Sequence, residues 1–135
     1  MTKADREIVF NKFGGKCAYC GCELNVKFQV DHIVPKSFFE AHIKNQFRVP
    51  AFLKHLTIED VNNIDNLMPT CGICNKWKSA HDLELFRSEI AEQIKRLNDW
   101  SSNFRFAKRY GLVKETPKPV IFYFELFNNQ TQANE

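Results

Sequence analysis

Residues 64–79 read Ile64-Asp-Asn-Leu-Met-Pro-Thr-Cys-Gly-Ile-Cys-Asn-Lys-Trp-Lys-Ser79. The stretch holds a C-x-x-C pair, Cys71 and Cys74, whose counterpart lies far upstream as Cys17-Ala-Tyr-Cys20. A C-x-x-C turn presents two thiolates to one ion. Two such turns complete a tetrahedral four-sulfur site at about 2.3 Å per bond, a geometry that suits Zn²⁺. Gly21, directly behind Cys20, permits the tight backbone such a knuckle needs. Residues 21–70 separate the pairs, more than an ordinary zinc finger spans, so the zinc would tie the first third of the chain to its second half. A closed four-sulfur site leaves no position for a substrate. This zinc is therefore a structural staple, and the chemistry must lie elsewhere. Cys22 is left over: it can replace Cys20 as a ligand or remain a free thiol.

Between the pairs lies Phe28-Gln-Val-Asp-His-Ile-Val-Pro-Lys-Ser37. Cleaving a phosphodiester requires an activated water, a divalent ion on the phosphate and a stabilised leaving group. His32 supplies an imidazole, the side chain whose ordinary pKa of about 6.5 suits taking a proton from water at neutral pH. Asp31 supplies a hard anionic oxygen for Mg²⁺ or Mn²⁺, and Asn75 a second, neutral oxygen. Adjacent residues on a regular strand face opposite ways. Asp31 and His32 therefore serve one site only if the strand bends or ends there, and Pro35 stands close behind.

In these segments the chain resembles the HNH, or His-Me finger, endonucleases. Their hallmark is a D-H-I-x-P strand end, then N-L, then C-x-x-C-N-x-x-K. The resemblance covers residues 17–79, and its D-H-I-V-P and N-x-x-K-S segments are also similar to those of the HNH domain of RNA-guided nucleases. It implies a ββα-metal core in which Asp31 and Asn75 hold the catalytic ion, His32 is the general base, and Asn66 positions the base and its loop. It implies hydrolysis of DNA phosphodiester bonds, with RNA left open as a substrate, in a phage, mobile-element or host-defence setting. Some members of the wider superfamily place a histidine four residues beyond the aligned metal ligand. Here Ser79 stands there, which removes a third protein ligand, and His81 is a weaker candidate.

Lys76 and Lys78 follow the second knuckle and are read as phosphate contacts. Arg105, Lys108 and Arg109 recur at helical spacing and are read the same way. No base-reading module stands out. The stretch 38–60, which carries His42, His55 and several Phe, is longer than in compact family members. It reads as core packing rather than as a substrate-contacting insertion.

Working outward, Lys3 to Phe13 reads as a helix capped at Thr2 or Asp5 and stopped by Gly14-Gly15. Val26 to Val34 reads as one strand or two, and Ser37 to Leu56 as a helix broken near Pro50. Ile58 to Met68 reads as a loop. Asp82 to Trp100 reads as one helix with a Leu83, Phe86, Ile90, Ile94, Leu97 stripe. Ser101 to Tyr110 reads as a helix closed by Gly111, Pro119 to Phe127 as a late strand, and Asn128 to Glu135 as a flexible tail. The fold class is α+β: one domain over 1–127, with its core at 17–79 and an extension at 82–127.

The composition agrees with such a chain. Its 135 residues are 44% apolar with thirteen Phe, enough for a modest core, and the net charge of +3 does not by itself mark a nucleic-acid binder. The N-terminus lacks the apolar run of a secretory signal, and no stretch approaches the roughly 20 residues of a membrane span. The cytoplasm is the expected compartment, where paired cysteines serve as metal ligands. The expected partners are DNA and, for duplex cleavage, a second copy of the chain or two sequential cuts. The expected cofactors are structural Zn²⁺ and catalytic Mg²⁺ or Mn²⁺. The main alternative is a zinc-ribbon module that binds nucleic acid or protein without cutting.

Overall fold

The first helix, α1 (Lys3–Asn11), begins in a capping box. Thr2 Oγ1 accepts from the Asp5 N–H at 3.1 Å, and the Asp5 carboxylate accepts from the Thr2 N–H at 3.4 Å. Two orphan donors are thereby satisfied. The helix ends at Asn11, two residues short of the expected Phe13, in a turn that runs through Gly14 and Gly15, whose φ of +65° and +78° suit glycine. Its Val9 is fully buried and packs in one cluster with Phe28 and Leu67.

We describe residues 1–133 from a computed structural model, with side chains to residue 129. After α1 come β1 (Gln29–His32), a 3₁₀ turn at Lys36–Phe38, α2 (Phe39–Asn45) and a second 3₁₀ turn at Ala51–Leu53. Then follow β2 (Leu67–Thr70), α3 (Gly72–Lys78), α4 (Leu83–Ala91), α5 (Gln93–Trp100), α6 (Ser102–Arg109) and α7 (Tyr123–Ala133). The two strands pair antiparallel, with Asp31 opposite Met68 and His32 opposite Leu67. The fold class is thus α+β, with mostly helical elements and a two-stranded sheet among the described residues. Among the described residues no helix is long and apolar enough to cross a membrane.

Several expectations need correction. The loop assigned to Ile58 to Met68 ends in a strand, and β2 is buried at all four positions. Alternation cannot reveal a strand covered on both faces. The late strand expected over Pro119 to Phe127 is instead the entry to α7, which continues through most of the stretch read as a tail. Residues 134 and 135 of that stretch lie outside the described residues. The β-formers are overridden by one local bond and two long-range ones. Tyr123 and Phe124 donate their N–H groups to the Tyr19 and Ala18 carbonyls at 3.0 and 2.8 Å, and Glu125 Oε1 accepts from the Phe122 N–H at 2.9 Å. Phe122 and Phe124 are then buried from a helix start rather than from a strand. The long helix over Asp82 to Trp100 is two helices, parted at Glu92.

Two compact units can be told apart. The first comprises residues 1–83 with the chain from Ile121 onward, and the second comprises Glu84–Val120. In the first unit the stretch 38–60 buries Phe39, Ile43, Val49, Leu53 and Leu56, while Phe38, Phe47 and Phe52 stay about half exposed. Its apolar content is therefore mostly packing. In the second unit α5 packs on α6. The Asn98 amide donates to Glu115 at 2.5 Å, and Lys108 Nζ reaches both Glu115 (3.1 Å) and Asn98 Oδ1 (2.8 Å).

Candidate metal centre and active site

All five cysteines are free thiols. The sulfurs of Cys17, Cys20, Cys22 and Cys71 lie within 4.8 Å of one another. Cys74 joins them through a thiol–thiolate hydrogen bond with Cys17, which holds the Cys17 thiol down at about 4 and pushes that of Cys74 up. Cys71 caps α3, its sulfur accepting from the Cys74 N–H at 3.4 Å. The Cys20 and Cys71 sulfurs are 3.8 Å apart. Four sulfurs at about 2.3 Å from one tetrahedral ion would stand roughly 3.8 Å from each other. The donor set and its spacing therefore fit a soft tetrahedral cation such as Zn²⁺. Both expected knuckles contribute, but in the group of four mutually close sulfurs Cys22 stands where Cys74 was expected.

Gly21 fits this turn for two reasons. Its φ is +79°, and a Cβ there would come 2.9 Å from the Tyr123 ring. The start of α7 thus closes over the first knuckle.

β1 leads from the knuckle region to the second cluster. Asp31 points inward: its Oδ2 accepts from the Tyr19 hydroxyl at 2.5 Å and from Lys78 Nζ at 3.0 Å, and its Oδ1 lies 3.3 Å from the same ammonium. Lys78 also donates to the His32 carbonyl at 2.9 Å. Asp31 is 5% exposed and Lys78 0%. Burial raises the Asp31 carboxyl and lowers the Lys78 ammonium, and each charge partly offsets this for the other. Lys78, read as a phosphate contact, is instead a buried counter-ion, because its helix turns it under the strand. Lys76 on the same helix is exposed.

His32 turns the other way. Its Nε2 lies 2.9 Å from Asn62 Oδ1. An amide oxygen only accepts, so Nε2 carries the hydrogen and a neutral ring keeps its lone pair on Nδ1. Although neighbours on a strand diverge, Asp31, His32 and Asn75 all line one open depression of about 520 Å³, together with Lys36 and Ser37. Asn75 donates to Gln29 Oε1 at 2.5 Å, which leaves its amide oxygen free of that bond.

Asn66 is fully buried. Its Oδ1 accepts from the Val34 N–H at 2.9 Å, and its Nδ2 donates to the Val34 and Val61 carbonyls at 3.3 and 3.0 Å. Its own carbonyl accepts from the Ile33 N–H at 2.9 Å. The residue fixes the backbone directly after His32, whereas the ring itself is held by Asn62. Asn62, Tyr19 and Gln29 were not anticipated from sequence. Only the spacing of Tyr19 inside the first knuckle carried any signal. Arg105, Lys108 and Arg109 lie on α6 in the second unit, where Arg105 donates to the Asn98 carbonyl at 2.8 Å and Arg109 is exposed.

No family model matches the chain, and no solved structure matches it significantly. A stretch of 103 residues is 32% identical to seed linoleate 9S-lipoxygenase-2 of Pisum sativum, covering 75% of this chain and 10% of that protein. The chain thus spans about a tenth of that relative's length, too little to carry over its activity.

Proposed function

We propose that the chain is a metal-dependent HNH endonuclease with a ββα-metal core (β1, β2, α3) and a structural zinc on the paired cysteines. It hydrolyses DNA phosphodiester bonds to leave a 5′-phosphate. The observation that carries this reading is that Asp31, His32 and Asn75 are all among the residues lining one open depression. Asp31 and Asn75 would hold Mg²⁺ or Mn²⁺, which when bound supplies positive charge to the scissile phosphate. Asp31 retains an oxygen with only the longer Lys78 contact, so a hard cation has a ligand there.

The chain's own residues prepare the rest. The Asn62 bond leaves His32 Nδ1 as the basic nitrogen, which takes the proton of the attacking water. Asn66 fixes the backbone behind that ring. Lys36, on the wall of the depression, and the exposed Lys76 offer charge to backbone phosphates without reading sequence. One such site cuts one strand, so duplex cleavage takes two copies or two events. We place its action in the cytoplasm.

Supercoiled plasmid, incubated with Mg²⁺, Mn²⁺ or EDTA, tests this. Nicking is expected with either ion and not with EDTA. His32→Ala is expected to lose at least about a thousandfold in rate with an unchanged melting curve. Full activity in that variant would sink the mechanism. Absence of cutting on every DNA and RNA form, with binding retained, would favour the zinc-ribbon module.

A further inference from the structure

A tetrahedral zinc takes four sulfurs, and this cluster contains five. The surplus thiol is not remote. Cys20 and Cys22 are the two exposed members, one residue apart across the Gly21 turn, with sulfurs inside the 4.8 Å group. Cys17 is buried, and Cys71 and Cys74 are half-buried on and before α3. If the paired cysteines bind the ion, Cys22 is an exposed thiol beside the exposed ligand Cys20; if the group Cys17, Cys20, Cys22 and Cys71 binds it, both exposed sulfurs are ligands on one turn.

We propose that Cys20 and Cys22 form an oxidation site that releases the zinc, with a hydroperoxide as the oxidant. The inference rests on the zinc staple proposed above. A metal-held thiolate keeps its nucleophilic electron pair and is attacked from the solvent side only where it is exposed. The Cys20 thiolate attacks a peroxide oxygen; an S–O bond forms, the O–O bond breaks, and the departing hydroxide takes a proton. The Cys22 sulfur then attacks the Cys20 sulfur; the S–S bond forms, the S–O bond breaks, and the second oxygen leaves as water. Two electrons pass from two thiols to one hydrogen peroxide, giving one disulfide and two waters. Cys20 is then lost as a donor, and Cys22, its only neighbouring substitute on that turn, is lost with it. Three sulfurs remain, which opens the closed site to solvent and thiol exchange.

The turn suits the closure. Gly21 at φ +79° already folds the two cysteines toward each other, and the Cys22 carbonyl accepts from the Cys17 N–H at 2.8 Å, fixing the turn from its far end.

The test uses the full zinc-loaded chain and hydrogen peroxide. Zinc release is followed with a chromogenic chelator, and the bond is mapped by alkylation and mass spectrometry. The expected results are about one zinc released per chain, a Cys20–Cys22 link, and reuptake after dithiothreitol. Cys22→Ser is expected to keep its zinc and to release it roughly tenfold more slowly. Equal release rates in the variant, or a link mapped to Cys17, Cys71 or Cys74, would overturn this inference and leave the staple intact. A purified chain that holds no zinc would overturn the staple itself.

Discussion

Lys78 Nζ stands 3.0 Å from Asp31 Oδ2, and neither side chain is more than 6% exposed. The Tyr19 hydroxyl completes the group from the knuckle side. This buried pair couples the carboxylate read as a metal ligand to the helix that follows the second C-x-x-C. Removing one member of such a pair strands a charge in a poorly solvated site.

Lys78→Met is therefore expected to destabilise the fold at neutral pH by about 3–5 kcal/mol. The Asp31 carboxyl, already raised by burial, loses its counter-charge and rises further. A raised native pKa means that the folded state holds the proton where the unfolded state has lost it. The variant should thus gain stability as pH falls toward the ordinary carboxylate range and lose it as pH climbs through the raised value. Urea titrations at about pH 5 and pH 8 read the difference, and adding Asp31→Asn should remove it.

Asn66→Ala leaves one buried N–H and two carbonyls short of partners, at an expected cost of about 2–4 kcal/mol. Denaturant unfolding measures this. Nicking should fall with it, because the backbone behind His32 loses its anchor. Asn66→Asp keeps the acceptor for Val34 but sets an oxygen against the Val34 and Val61 carbonyls, and is expected to cost at least as much.

Asn62 is exposed, and its side chain bonds the His32 ring. Asn62→Ala should leave thermal stability within about 0.5 kcal/mol while lowering kcat by roughly tenfold. Asn62→Asp places a carboxylate beside the ring nitrogen and should shift the acid limb of the pH–rate profile upward. An unmoved limb would separate Asn62 from the base.

Lys12 donates to the Ile64 and Leu67 carbonyls, and burial lowers its ammonium to about 8 against an ordinary 10.5. Between those values the unfolded chain holds more protons than the folded one, so this group makes stability rise with pH there. In Lys12→Met that component of the slope should vanish. The readout is the difference between wild-type and variant midpoints across that range.

The parts of this molecule that sequence revealed are those whose chemistry is local. Thr2, Gly14 and Gly15 bound a helix by rules of one turn, and the two C-x-x-C pairs announced a sulfur cluster before any contact was known. β2 escaped because burial on both faces erases alternation. The start of α7 escaped because its apolar run has strand propensity, while its helix depends on carbonyls of Ala18 and Tyr19 more than a hundred positions away. Lys78 was misplaced for a related reason. A lysine's spacing on a helix tells which face it occupies, but only the fold tells that this face is turned toward a carboxylate.

The amide of Asn66 grips Val34 and Val61 at once, so residues 35–60 depart from and return to a single point. That excursion behaves as a cassette plugged into a fixed socket, carrying its own apolar filling in Phe39, Ile43, Val49, Leu53 and Leu56. Because closing a longer loop costs only about 0.6 kcal/mol for each doubling of its length, the cassette can be resized while the imidazole keeps its aim.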